Sequence, residues 1–324
     1  MSVLLQVVET LLPLVVLVGL GLGLVRFGFL SDGMRRQFDR WVYWVGLPAL
    51  LVAKVSEAGA LDASVGRVIL AMGVVTVVAA LMGWGLWWVA SRESGTLGVV
   101  VQGGCRGNLA FVGLPVIELG GGDAKTVALA AVGLTATVVL YNVISVGALV
   151  WGRETGGNGK DGGEGLGLWM MVRRVGWSMV TNPLIIACLM GVGLAASGWT
   201  LPGVVRRSLA LVGQPAGPMA LMSLGGAMVV YKVRGHLALA GAVTAVKLGV
   251  CPAVGYAMAV WLGLDAREAL AVLVLSSAPT AVAAYVLVTQ LGGDEGLAAS
   301  IIVLATTGSV VSLGVALALA GGWG

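Results

Sequence analysis

Polar side chains are scarce inside the apolar stretches of this sequence, and those that occur are of kinds that bind anions. Arg106 and Asn108 stand in "QGGCRGNLAFVGLPVIELGGG", residues 102–122, a hydrophobic run that also holds Pro115 and seven glycines. Lys247 stands in "TAVKLGVCPA", and Asn142 follows Tyr141 in "VLYNVI". Asn182 opens "NPLII", and Ser276, Ser277 and Thr280 flank Pro279 in "SSAPTAVAAYVL". Guanidinium, ammonium, amide and hydroxyl groups all donate hydrogen bonds to a carboxylate. Pro115 and Pro279 cannot donate a backbone hydrogen bond and clash with the turn before them, and Gly107 and Gly113 weaken the helix further. Backbone groups freed at such points cannot face lipid; they must be buried in protein or line a wet cavity.

Read singly, each proline makes a simple kink. Read together, they make two broken helices that cross near the midplane. Their half-helix N-termini would bring free N–H donors and partial positive charge to one point. The candidate substrate contacts at and around the crossing are Pro115, Asn142, Asn182, Ser277, Pro279 and Thr280, with Ser276 and Ser277 able to cap a new half-helix. Arg106 and Lys247 each lie about 14 Å deep at the helical rise. Each either attracts the anion or braces broken-helix carbonyls. Asn182 can equally cap the helix that starts at Pro183, and Asn142 can bond across helices.

Other chemistries lack material. The acids nearest the interior are Glu9, Glu57 and Glu118, and none stands at mid-depth, where cation-coupled antiporters place a carboxylate. Cys105, Cys188 and Cys251 lie in apolar runs without CxxC spacing, and His236 is the one histidine, so no metal, disulfide or cofactor is expected. No motif points to an enzyme. The pI near 9.1 comes from basic residues scattered over loops, which fits membrane topology and not nucleic-acid binding.

The elements that must hold these residues are membrane helices. Hydrophobic residues make up 58% of the 324, charged residues 10%, and mean hydropathy is +1.00. Ten spans are drawn at about 3–26, 40–57, 66–90, 97–120, 124–151, 178–197, 203–229, 237–262, 267–290 and 297–321. The first is longer than a signal-peptide core and is read as a retained helix. Tryptophans at span ends form an interfacial belt. The Gly-rich, charged stretch "GRETGGNGKDGGEG" makes residues 152–176 a short linker between five-span halves, 1–151 and 177–324. Eleven basic residues (Arg26, Arg35, Arg36, Arg40, Arg92, Arg153, Lys160, Arg173, Arg174, Lys232, Arg234) against six (Lys54, Arg67, Lys125, Arg206, Arg207, Arg267) put both termini outside.

An odd number of spans per half makes any internal repeat inverted. Two echoes support one. Span two carries "VGLPALL" and span seven "VGQPAGPMAL", while spans four and nine are the two proline-broken ones. The expected class is therefore an all-α polytopic membrane protein with two inverted five-helix repeats and crossed broken helices four and nine.

At these residues the chain resembles the auxin efflux carrier family, within the bile acid/auxin carrier superfamily. Its members include the plant PIN-FORMED and PIN-like carriers and bacterial malate or malonate permeases. The resemblance is carried, in order, by "WVYWVGLPALLVAKV", "RGNLAFVGLPVI", "TNPLIIACLMGVGLAASGWTLP", "GQPAGPMALMSLGGAM", "KLGVCPAVGYA" and "SSAPTAVAAYVLVTQLGGDEGLAASIIVLATTGSVVS". It implies spans one, two, six and seven as scaffold and homodimer interface, and spans three to five and eight to ten as a transport domain moving elevator-fashion. It also implies that Asn108 and Asn182 contact the substrate carboxylate. Leu51 stands where plant carriers have a serine, span three lacks their acidic residue, and their long central loop is reduced to the linker, so the bacterial branch is the closer match.

The expected function is efflux of a small organic carboxylate, auxin-like or malate/malonate-like, across a bacterial inner membrane. The alternatives are a sodium- or proton-coupled organic-anion importer and a membrane ligand sensor that transports nothing. The expected partners are the anion, the lipid bilayer and a second copy of the chain, with no nucleic acid.

Overall fold

The computed structural model describes residues 3–57, 63–155, 173, 176–177, 180–231, 233 and 236–323. Nearly all of the expected linker, 152–176, lies outside them. No β-strand occurs among the described residues, and fifteen α-helices are described here, two pairs of them joined by π-helical turns and a third π turn leading into another helix. They are α1 Val3–Arg26, α2 Asp32–Trp41, α3 Leu47–Ser56, α4 Ser64–Ala90, α5 Ser94–Cys105, α6 Leu114–Leu119, α7 Ala124–Thr155 and α8 Pro183–Ser197. After these come α9 Gly203–Gly213, α10 Ala216–Val230, α11 Leu237–Ala245, α12 Cys251–Trp261, α13 Ala266–Ser277, α14 Ala283–Leu291 and α15 Glu295–Gly321.

Four stretches are long and apolar enough to cross a membrane: Ser64–Ala90, Ala124–Gly152, Leu237–Trp261 and Glu295–Gly321. Shorter apolar helices, Leu11–Arg26, Leu109–Leu119 and Pro183–Ser197, accompany them. Their outer faces carry bare Leu12, Leu20, Leu81, Val89, Leu189 and Val311, and α9 adds Leu211. Apolar surface on that scale needs lipid to cover it. The protein is a multi-pass membrane protein.

Prolines shape the helices through one repeated device. Pro48, Pro115 and Pro252 each sit at the start of an α-helix (α3, α6, α12) that follows a π-helical turn, Val42–Gly46, Leu109–Gly113 or Val246–Val250. The residue before each proline donates its N–H five residues back: Leu47 to Val42, Leu114 to Leu109, Cys251 to Val246. Widening the turn gives the proline ring room without breaking the helix. This corrects an expectation: Pro115 is not where span four breaks.

The helices pack in two groups. In one, α1 lies along α10, α3 along α8 and α9, and α2 against α10. In the other, α4, α5 and α7 pack together, α13 packs on α12 and α15, and α7 and α4 touch α13. The first group is close-packed by glycine. A Cβ on Gly21 would collide with the Met222 backbone, and one on Gly225 with that of Val18. The groups meet chiefly where α3 touches α7 and α1 touches α15.

Ion pairs gather the loops at one end. Lys54 bonds Glu118 at 3.1 Å, Arg206 bonds Glu57 at 3.4 Å, and Arg267 bonds Asp123 at 2.7 Å. Arg67 donates from Nε and Nη2 to Glu268 Oε1 at 2.8 and 2.7 Å. Glu268 is fully buried, and its other oxygen accepts the Asp265 N–H in a capping box. At the opposite end Glu93, just before α5, meets His236, just before α11, at 3.5 Å.

Candidate functional site

The predicted fourth span breaks at Arg106–Asn108, between α5 and α6, and the predicted ninth at Ala278–Val282, between α13 and α14. Both breaks turn extended: Arg106 has φ −88°, ψ 92° and Ala278 φ −62°, ψ 141°. The residue before a proline is pushed to that conformation, so Ala278 follows from Pro279. The two extended pieces run antiparallel and pair. Asn108 N–H donates to Pro279 O at 2.7 Å, and Ala281 N–H donates to Arg106 O at 2.9 Å, around a bridge between Gly107 and Thr280. Thr280 Oγ1 adds a bond to Gly103 O at 2.7 Å. Much of what each break frees is thus satisfied by the other, which a membrane interior requires.

The first-turn N–H groups beyond each break have no intrahelical acceptor. Leu109, Ala110, Val282 and Ala283, which carry such groups, line a cavity of about 780 Å³. Its walls are largely apolar, with Val138, Leu184, Leu224 and Leu287 among them, and Tyr43, Trp44, Phe111 and Tyr141 supply aromatic faces. It extends to Arg35, Asp39 and the exposed Arg40 on α2. Three guanidinium groups (Arg35, Arg40, Arg106) against one carboxylate (Asp39) make it net positive. Arg35 is spoken for by Asp32 and Asp39, both at 2.9 Å.

Arg106 is not so compensated. Its side chain is 9% exposed, its Nη1 donates to Asn142 Oδ1 at 2.6 Å, and its guanidinium carbon lies 4.9 Å from the centre of the Tyr141 ring. Its Nε has no hydrogen-bond partner among the described residues. Asn142 and Tyr141 hold the group from one side and one face. With Nε unpaired and no carboxylate bonded to it among the described residues, this guanidinium on the cavity wall keeps hydrogen-bonding capacity for a carboxylate.

The remaining candidates divide. Asn108 and Asn182 line the same cavity as Arg106 and Asn142. Asn182 also caps α8, its Oδ1 accepting from Leu184 N at 2.9 Å and Ile185 N at 3.4 Å, so both of its readings coexist. Pro115, Ser277, Pro279, Thr280 and Lys247 do not line the cavity. Pro279 and Thr280 build the crossing instead, and Pro115 packs beside Gly217. Ser276 and Ser277 cap nothing. Both end α13; Ser276 Oγ donates back to Leu273 O at 3.0 Å, and α14 starts at Ala283, after Val282, without a side-chain cap. The cavity residues missed from sequence are Arg35, Asp39, Arg40 and Tyr43. A signal was there in "SDGMRRQFDRW", a Ser31-capped amphipathic helix that was read as loop.

A broken-helix crossing over an anion-attracting cavity, in an all-helical multi-pass membrane protein, belongs to the class of secondary transporters. The family model described as "Membrane transport protein" matches residues 6–157 and again 158–317. The chain belongs to that family, the one that contains the auxin efflux carriers, and is a secondary membrane transporter. No curated protein matches it.

Proposed function

We propose that the chain carries a small organic carboxylate out of the cell, binding it in the cavity beside the helix crossing. The observation that carries this reading is the buried guanidinium of Arg106 on the cavity wall, held by Asn142 and Tyr141, with its Nε unpartnered among the described residues. Asn108 and Asn182 add amide donors, and the half-helix N-termini add free N–H groups. The apolar and aromatic walls suit the body of an amphipathic acid.

In this reading ten spans form two inverted five-helix repeats. Two reciprocal contacts support it. Asn108 and Ala281 exchange bonds with Pro279 and Arg106 across the crossing. In the V-G-x-P motifs, Gly46 abuts Ala216 and Gly213 abuts Leu50. The Arg206–Glu57 ion pair brings the end of α3 to the start of α9, as antiparallel counterparts require.

The α1–α3 and α8–α10 group is the scaffold and homodimer surface, and the other group is the moving domain. The cavity mouth at α2, rich in arginine, faces the cytoplasm by the positive-inside rule, with both termini outside. A negative-inside potential then drives an anion outward by about 2.3 kcal/mol per charge per 100 mV, without a coupling ion.

Purified protein in liposomes, screened with carboxylates and indole acids, tests this. Arg106→Gln should weaken binding of every transported acid by about 10- to 100-fold, the worth of a charge-assisted pair. Asn108→Ala should weaken it less. Unchanged transport by both variants would remove the site.

A further inference from the structure

The cavity does not account for Lys247. It sits in the π-helical turn Val246–Val250, is 3% exposed, and forms no ion pair or hydrogen bond among the described residues. Burying a lone ammonium costs several kcal/mol unless something answers its charge. Its turn packs against α4, α5, α13 and α15, and its Nζ lies close to the span-four break: a Cβ added to Gly107 would be 3.2 Å from it. Arg106 points into the cavity, whereas Lys247 is not part of the cavity wall.

Two helices end at this crossing. α5 stops at Cys105 and α13 at Ser277, and Thr280 ties the break of span nine to Gly103 in the last turn of α5. The last-turn carbonyls of a helix lack intrahelical donors and together carry about half a negative charge. Two buried oxygens on these same last turns, Gln102 Oε1 and Ser277 Oγ, have no hydrogen-bond partner among the described residues. Carbonyl, amide and hydroxyl oxygens at half-helix C-termini are the ligand set of an alkali cation in a membrane transporter.

We propose that the Lys247 ammonium is a tethered counter-cation. It supplies permanently, behind the crossing, the positive charge that a bound sodium ion would otherwise bring to the converging ends of α5 and α13. The protein then needs no coupling ion at this point, because one is covalently part of span eight. Shortening the side chain to a neutral one would leave an oxygen-lined gap suited to sodium. This does not depend on which anion the cavity takes.

Radiolabelled sodium binding and thermal melting in detergent test the proposal without a substrate. The probe is sodium chloride, against choline chloride at equal ionic strength, because choline is too large for the gap. The wild-type chain should bind no sodium and melt at the same temperature in both salts. Lys247→Ala should bind sodium saturably and melt higher in sodium chloride than in choline chloride. Lys247→Asn, which adds a carbonyl ligand, should show the larger shift. Sodium binding by the wild-type chain would overturn the proposal, as would a folded variant indifferent to the salt. If neither variant can be recovered folded in either salt, sodium does not replace the ammonium, and the proposal also fails.

Discussion

The two breaks at the crossing have the same backbone task and opposite side chains. Span four brings Arg106, Gly107 and Asn108, two of them polar and both turned to the cavity. Span nine brings Ala278, Pro279, Thr280, Ala281 and Val282, whose one polar side chain is spent on Gly103 O. The hydrogen bonds between them are reciprocal, yet the chemistry is one-sided. The backbone pairing is thus mutual, and only the first break turns charged or amide side chains to the cavity.

That contrast can be broken by exchanging properties between the sides. The largest effect on stability is expected from Gly107→Val. A Cβ there already meets Leu109 Cδ2 at 2.7 Å and Lys247 Nζ at 3.2 Å, so a branched side chain must displace both side chains beside the bridge, at about 1–3 kcal/mol in thermal or chemical unfolding. Thr280→Val, on the other break, keeps the shape and removes one bond. It should cost about 1–2 kcal/mol, because Gly103 O loses its hydroxyl donor, while ligand binding changes little. Equal losses of binding in Thr280→Val and Asn108→Ala would show that the chemistry is shared after all.

The smallest effect lies away from the crossing, at Asp123. Slight burial opposes ionisation there, but bonds from Thr126 Oγ1 and N–H and the Arg267 guanidinium outweigh it and hold the carboxyl below the usual range. A depressed folded-state value means the stabilisation is full above the unfolded carboxylate range and lost as pH falls through the folded value. Because Asp123 is 46% exposed, about 0.5 kcal/mol or less is at stake. Asp123→Asn should flatten a shallow fall in melting temperature below about pH 4, and leave the neutral-pH value almost unchanged.

How far the site could be read from residues alone depends on the reach of each interaction. The crossing of spans four and nine was legible, since a proline and clustered small residues at corresponding places in both halves are a local signal. Asn108 and Asn142 were legible as polar groups with nowhere apolar to go. The location of the first break was not. Pro115 announces a missing N–H, but whether a helix breaks or widens to absorb it is settled by neighbours distant in sequence. Here the π turn absorbs Pro115, and the break falls earlier, at Arg106–Asn108, where Pro279 O and the Ala281 N–H are waiting.

The sequence by itself determined the class. A chain 58% hydrophobic and 10% charged, in runs the length of a bilayer, can only be a helical membrane protein, because hydrocarbon demands internally satisfied backbone. It also marked Arg106, Asn108, Asn182 and Lys247 as polar groups inside apolar runs, all of them buried, but not Arg35 or Glu268. Tertiary structure decided what each of them does. Arg106 became a donor edge because Asn142, 36 residues on, occupies one nitrogen and leaves another free. Thr280 became a brace because Gly103, 177 residues away, offers a carbonyl. A side chain's type limits the bonds it can make, but its neighbours across the fold decide which are left over, and the leftover bonds are the ones a ligand can use.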